Sequence, residues 1–493
     1  MHRIDLLAPA VEGQSVTFRW TVEPAATLYR KTSFTMTFPA MVDLSRIPAR
    51  LWWDIAMLCL HPHWLLLRPC TIHLPLNLAE AERRFWLQHL QNGVDTLDAL
   101  GPAQLRGQPL GITFVCAGLD VPRTPLQGSG FGTSFSSGKD SLLQAALLCE
   151  LTQRPLLVAT TSPLPPLADH GTERRRKVFA AIQARRDVQF VEVVSDFRSI
   201  WDNGFSGRMG YGPAVNELTD TFLYMSSLLA AGAALGATHL FVASEAEVQI
   251  NASLEGRIVQ HSHFMYSAAT QRALARLLSA YGISFGSLIW PLYSMQVQQL
   301  LWARYSDLCD LQYSCWRVGL GEATCSQCDQ CFRIAMTALA SGEDPQRMGI
   351  DLLKVLAYGP IWEKLFDHNA PPPALPQISN MARVHRRIWD LIARTSFLHI
   401  LGILLRARPR ALLSRQALAT LRQFRQLQQC ARRLPSLPPQ GIREAFLDWL
   451  DPALRDRLIT LYTQYFPREP RADHAEIHQR SGALSLRTTS TLD

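Results

Sequence analysis

The sequence is missing what an exported or membrane-embedded protein needs. Its opening residues do not join a basic head to an apolar run and a small-residue cleavage site, because Arg3, Asp5 and Glu12 interrupt them, so no secretory signal is expected. In the C-terminal half the longest apolar run, Phe397 to Leu405 around His399, falls well short of the ~20 residues that a membrane helix needs, and no membrane span is expected. Ten cysteines in 493 residues are too sparse for a disulfide scaffold. Their placement is uneven, with Cys325, Cys328 and Cys331 falling together; that clustering points to metal in a reducing compartment and so to a cytoplasmic protein. Internal repeats are absent. Acid is scarce in one place: between Met381 and Gln440 twelve arginines stand against a single acid, Asp390, and no lysine, so this segment carries +11 in a chain whose total is +8. Such a region faces an acidic partner or solvent, and a solvated helix face is expected ahead of a nucleic-acid surface.

What is present is ordinary in bulk. A hydrophobic fraction of 47% and a charged fraction of 18% predict a folding, globular chain, and its length predicts two or three domains. Up to about residue 125, strand signals (Ser15 to Val22, Ser33 to Phe38, Gly111 to Cys116) mix with helix signals (Ile47 to Leu60, Asn77 to Gly93). Trp52-Trp53 is expected in the core. From about Gly128 strands and helices alternate: strands at Phe131 to Phe135, Pro155 to Thr161, Val188 to Val194 and His239 to Ser244, with helices from Lys139, Thr172 and Glu217 between them. That rhythm predicts an α/β, doubly wound parallel sheet. The expected division is an N-terminal α+β domain over 1–125, the doubly wound domain over 126–348, an arginine-rich helical domain over 349–480 broken by the Pro371–Pro373 linker, and a disordered tail over 481–493.

The segment Phe135-Ser136-Ser137-Gly138-Lys139-Asp140-Ser141 follows a strand and opens a helix. Small residues there let backbone N–H groups approach a phosphate, and the hydroxyls of Ser136, Ser137 and Ser141 can donate to it at the positive end of the helix. A Walker A loop is excluded on two counts: five residues, not four, separate Gly132 from Gly138, and Asp140 rather than Ser or Thr follows Lys139. The plainer alternative is a serine-rich turn with a capping serine. Further on, Cys315-x9-Cys325-x2-Cys328-x2-Cys331 offers four thiolates, the number that closes a tetrahedral zinc site, with an iron–sulfur cluster as the competing occupant. The helix read over Phe332 to Ala340 would carry this knuckle at its start.

The loop resembles the S-G-G-x-D-S motif of PP-loop ATP pyrophosphatases, with Ser136, Gly138, Asp140 and Ser141 matching and Ser137 in place of the first glycine. The loop and the cysteine knuckle, about 175 residues apart, together resemble the QueC-like family, the 7-cyano-7-deazaguanine synthases, in which W-S-C-Y precedes C-x2-C-x2-C. Tyr313-Ser314-Cys315-Trp316 stands for the first part here. The likeness spans roughly Gly128 to Pro345. It implies a PP-loop (HUP-like) domain with a zinc knuckle, an ATP site at Ser136, Ser137, Gly138, Lys139, Asp140 and Ser141 with Asp140 and Ser141 catalytic, Mg2+ with the ATP, and zinc on Cys315, Cys325, Cys328 and Cys331. Weaker matches put His170 (in His170-x-x-Glu173), Asn216 (in Pro213-x-x-Asn216) and Glu245 (in Ser244 to Glu247) on the substrate side, and His261 and His263 are acid–base candidates beside them.

The implied reaction is adenylation of the carboxylate of a 7-deazaguanine by ATP, with release of pyrophosphate, followed by amide formation. The added length at both ends resembles the defence-associated QueC-like proteins of antiphage systems, the QatC and type IV CBASS branches, which implies a partner protein as amine acceptor. Three other expectations compete: a synthase making the free nitrile, a tRNA-thiolating PP-loop enzyme using the arginines on phosphate, and a non-catalytic nucleotide-binding adaptor. Thiolation lacks its usual paired C-x2-C motifs, Cys149 being expected in the core, and an adaptor should have lost the phosphate-touching residues that this loop keeps.

Overall fold

The N-terminal part of the chain builds strands β1 (His2–Leu6), β2 (Ala10–Glu12), β3 (Ser15–Glu23) and β4 (Ser33–Thr37), helix α1 (Ala49–Leu66), β5 (Cys70–Leu76), α2 (Glu80–Leu100) and β6 (Ile112–Leu119). The alternating part follows: β7 (Gly130–Ser134), α3 (Lys139–Leu151), β8 (Leu156–Thr161), α4 (Asp169–Gln183), β9 (Gln189–Ser195), α5 (Gly204–Arg208), α6 (Val215–Leu235), β10 (Ala237–Phe241), the hairpin β11 (Ala252–Leu254) and β12 (Arg257–Val259), α7 (Ala268–Leu278) and β13 (Ser284–Gly286). Helices α8 (Ser294–Arg304), α9 (Asp329–Ala340), α10 (Leu352–Leu356), α11 (Phe397–Ala407), α12 (Arg415–Ala431) and α13 (Pro452–Thr463) complete the chain. This computed structural model describes all residues outside 101–106, 108, 164–168, 203, 210–214, 247–251, 255–256, 260–265, 267, 316–323, 359–387, 408–409, 411–413, 434–440 and 470–493. The expected linker at Pro371–Pro373 and tail at 481–493 lie outside the described residues.

Eleven strands form one sheet in the order β13-β10-β7-β8-β9-β4-β3-β1-β5-β6, with β2 paired to β3. The five strands from β13 to β9 are mutually parallel. Their order runs outward from β7 in both directions, first to β8 and β9, then back across to β10 and β13. At such a reversal the connections on either side leave on opposite faces, opening a crevice at the carboxyl end of the central strand. The N-terminal strands do not form a separate sheet: β4 pairs antiparallel with β9, Met36 opposite Ser195 and Thr37 opposite Val194.

Both faces of the sheet are covered. Along β8 the side chains alternate, Leu156 and Val158 entering the core built with α1 and α6, and Leu157 the core built with α3, α8 and α9. Helix α1 is buried all round, from Arg50 to Leu66, and runs through Pro62 rather than ending at Leu60 as its sequence suggests. Packing on every side offsets the hydrogen bond that the proline removes. The halves are pinned by charge as well: Arg123 grips the buried Asp54 carboxylate through Nε and Nη2, each at 2.9 Å, and Tyr281 Oη donates to it at 2.7 Å. The C-terminal helices belong to the second core through Leu421, Phe424, Leu427, Leu458 and Tyr462. Tyr462 Oη donates to the Leu288 carbonyl at 2.9 Å, and a Cβ at Gly286 would meet the Trp449 ring at 2.4 Å. Among the described residues no single helix is long and apolar enough to cross a membrane.

Three histidines are buried between α1, α2 and the sheet. His61 Nδ1 lies 2.8 Å from the Leu58 carbonyl, so it donates there, and its Nε2 accepts from His89 Nε2 at 3.0 Å. His63 stacks on Phe197 with ring planes 5° apart, and neither of its nitrogens has a hydrogen-bond partner. Burial pushes His63 and His89 down to about 3. Because the folded values lie below the unfolded ~6.5, the neutral rings are stable partners above pH 6.5, and that stability is lost as pH falls through the window towards 3. For His63 alone the loss amounts to about 2 kcal/mol at pH 5. Thermal unfolding should therefore start lower at pH 5 than at pH 7, and His63→Phe should reduce that difference; an unchanged pH dependence in the variant contradicts the assignment.

Candidate functional site

The turn that leaves β7 lies at the reversal of strand order. Phe135 is held by its N–H on the Val158 carbonyl at 2.8 Å, and Gly138 in extended conformation caps α3. Between them Ser137 has φ +63°, a left-handed conformation that costs a non-glycine residue about 1–2 kcal/mol. The position at which the resembling motif carries its first glycine is therefore one where the backbone takes the conformation glycine favours. Ser137 accommodates it by donating from Oγ to the Ser136 carbonyl at 2.5 Å, and its own carbonyl accepts from Tyr313 N at 2.8 Å. Ser136 and Ser141 face one another, with hydroxyl oxygens 3.2 Å apart and Ser136 N donating to Ser141 Oγ at 3.2 Å. Gly138 has φ −71°, and a Cβ built on it meets nothing nearer than 3.5 Å. Neither strain nor packing requires glycine there.

Lys139 is buried, and its Nζ lies 2.5 Å from Asp140 Oδ1 and 2.6 Å from Glu245 Oε2. Burial and the adjacent Glu245 push the Asp140 carboxyl up to about 7. Burial opposes charge on Glu245 too, but the Lys139 ammonium outweighs it and holds Glu245 below the ordinary range. The Asp140 side chain as a whole is half-buried, with 33% of its surface exposed. A helix N-terminus with two hydroxyls, an ammonium and two carboxylates suits an anion accompanied by a cation.

The four cysteines converge. Cys315, Cys325, Cys328 and Cys331 place their sulfurs within 4.8 Å of one another, with Cys325–Cys331 at 3.9 Å and Cys328–Cys331 at 3.4 Å. Thiolates around one tetrahedral zinc stand about 3.8 Å apart, given Zn–S bonds near 2.3 Å. Backbone N–H groups donate to three of the sulfurs: Cys325 N to Cys315 at 3.3 Å, Gln327 N to Cys325 at 3.4 Å and Cys331 N to Cys328 at 3.4 Å. Ser326, at φ +55°, makes the tight turn that aims them. Hydrogen bonding with the Cys331 thiol and its backbone N–H holds the Cys328 thiol below its ordinary range. The cluster can hold one metal ion such as zinc.

Of the substrate-side expectations, Glu245 meets the loop through Lys139. His170 begins α4 and Asn216 begins α6, with side chains outside the described residues, as are His261 and His263. Ser314, which carries no role in the sequence reading, donates no chemistry of its own but accepts from Lys139 N at 3.1 Å; its adjacency to Cys315 was the available signal. A separate cavity of about 230 Å³ beside Glu173, Arg174, Lys177, Val178, Asp310 and Leu311 contains none of the loop residues. No family profile matches this chain, and no curated protein or solved structure matches it.

Elemental analysis of the purified protein should find about one zinc per chain. Cys331→Ser should lose it along with soluble yield, because a structural metal adds directly to folding free energy. A folded chain without metal, or one holding iron, would refute zinc at this cluster.

Proposed function

We propose that this chain is an ATP-dependent, AMP- and pyrophosphate-forming ligase of QueC-like type that adenylates a 7-deazaguanine carboxylate and passes it to an amine on a partner protein. The observation that carries this reading is the position of the Ser136–Ser141 turn. It leaves the central strand of a doubly wound sheet, opens a helix, and has a left-handed residue where the PP-loop motif has glycine.

On this reading the loop N–H groups and the hydroxyls of Ser136 and Ser141 grip the β- and γ-phosphates. A carboxylate oxygen of the deazaguanine attacks the α-phosphorus, a new P–O bond forms, and the bond to pyrophosphate breaks. The amine nitrogen then attacks the acyl carbon, sheds a proton and displaces AMP, leaving an amide. Asp140 and Glu245, already sharing the Lys139 ammonium, are the groups that would hold Mg2+, which when bound offsets charge on the leaving pyrophosphate. Lys139, if released from them, would offer its ammonium to the phosphates. Zinc on four protein ligands has no open position and serves the fold.

Support for a macromolecular acceptor comes from α12. It turns Leu421, Phe424 and Leu427 into the core and leaves Arg415, Arg422 and Arg425 exposed, a cationic face suited to an acidic protein surface. Ser141→Ala should lower ATP turnover by about 10²- to 10³-fold without unfolding the chain. Intact-mass measurement of proteins encoded beside this one, with and without the enzyme, should reveal a deazaguanine adduct. Conversion of the carboxylate and ammonia to a free nitrile, with no partner gaining mass, overturns the acceptor assignment.

A further inference from the structure

Four consecutive residues tie the metal cluster to the phosphate loop. Gln312 anchors the strap to α8 by a reciprocal amide pair with Gln298, at 2.5 and 2.8 Å, and both side chains are buried. Tyr313 donates from its backbone N to the Ser137 carbonyl at 2.8 Å, while its ring lies 3.5 Å from the Arg174 guanidinium carbon. Ser314 Oγ accepts from Lys139 N at 3.1 Å and lies 3.4 Å from Gln312 Nε2. Cys315 then enters the sulfur cluster, where Cys325 N donates to it.

The two contacts on the loop flank Gly138. One holds the carbonyl of the residue before it, the other the amide of the residue after it. Ser137 keeps its costly left-handed conformation under the first, and the first N–H of α3 keeps its direction under the second. At its far end the strap enters the cysteine cluster, where Cys315 meets the other three cysteines. The next described residue after Cys315 is Thr324, whose hydroxyl donates to the Gly349 carbonyl at 2.8 Å.

We propose that Ser314 is a positioning residue for the phosphate loop, and that through it metal at the four cysteines and nucleotide at the loop strengthen one another's binding. This rests on the nucleotide reading above. Coupling between two sites is reciprocal: if metal fixes the strap and the strap fixes the loop, bound nucleotide must raise metal affinity by the same factor. A serine that merely packs in the fold would lower stability and leave this factor unchanged.

The test uses the full chain, with ATP plus Mg2+ as one ligand and zinc as the other. Calorimetry measures ATP affinity, and competition with a chromogenic chelator measures zinc affinity with and without saturating ATP. In the wild type ATP should raise zinc affinity about tenfold, a factor worth about one hydrogen bond. Ser314→Ala should bind ATP about tenfold more weakly, retain its zinc, and lose the coupling, whereas Ser314→Thr, which keeps the hydroxyl, should restore both. Equal zinc affinities with and without bound ATP in the wild type, or an alanine variant that keeps the coupling, overturn the proposal while leaving the nucleotide reading intact. A zinc-loaded, folded wild type that binds neither ATP nor pyrophosphate defeats the nucleotide reading, and the proposal with it.

Discussion

A turn of six small or polar residues after a strand has no shape of its own, and the loop at Ser136–Ser141 keeps one because a second segment grips it from outside. The strap from Gln312 to Cys315 touches the loop on both sides of Gly138. It can do so because Gln312 is locked to α8 and Cys315 to the cysteine cluster. Beneath the loop, the parallel strands on either side of β7 fix where it emerges. The Lys139 ammonium then joins the loop's own Asp140 to Glu245, which lies after β10 on the far side of the reversal. Removing any of these supports leaves a left-handed serine and a buried lysine without the contacts that stabilise them.

Local features were readable in the sequence. The alternation from β7 onward appears where the apolar runs and helix formers predicted it, with β7 at Gly130–Ser134 and α3 beginning at Lys139. The spacing of Cys325, Cys328 and Cys331 announced a cluster that the structure closes with Cys315. These are short-range patterns, set by period and spacing. What escaped the reading depends on partners far away in the chain. Strand β5 alternates regularly, with Cys70, Ile72, Leu74 and Leu76 buried, but Pro75 within the run weakens its strand signal; it nonetheless lies between β1 and β6. Strand β13 is only Ser284–Gly286, held by β10 and covered by Trp449. The joining of β4 to β9, which makes two expected sheets into one, rests on two residue pairs across about 160 positions and leaves no local signature.

The same distinction separates the parts of the candidate site. Ser136, Gly138, Asp140 and Ser141 lie within six residues of sequence, and the roles proposed for them rest on a motif. Glu245 and Ser314 reach the loop from about 105 and 175 residues away, so only the folded chain could show which of the acids and hydroxyls arrive. Strands of the N-terminal addition lie in the same sheet as the parallel ones, and helices of the C-terminal addition pack into the second core. Any role they have in holding an acceptor is therefore exercised by faces of one body, such as the outer side of α12, and point substitutions there suit the question better than truncation.

The proposed reaction turns on attack at the α-phosphorus of ATP. Exchange of labelled pyrophosphate into ATP reports that step alone, without waiting for an acceptor. With Mg2+ and a 7-deazaguanine carboxylate present, the intact protein is predicted to incorporate label into ATP, and to stop when the carboxylate is withheld. Absence of exchange from a folded, metal-loaded chain, with ADP and phosphate as the products of ATP, would contradict it.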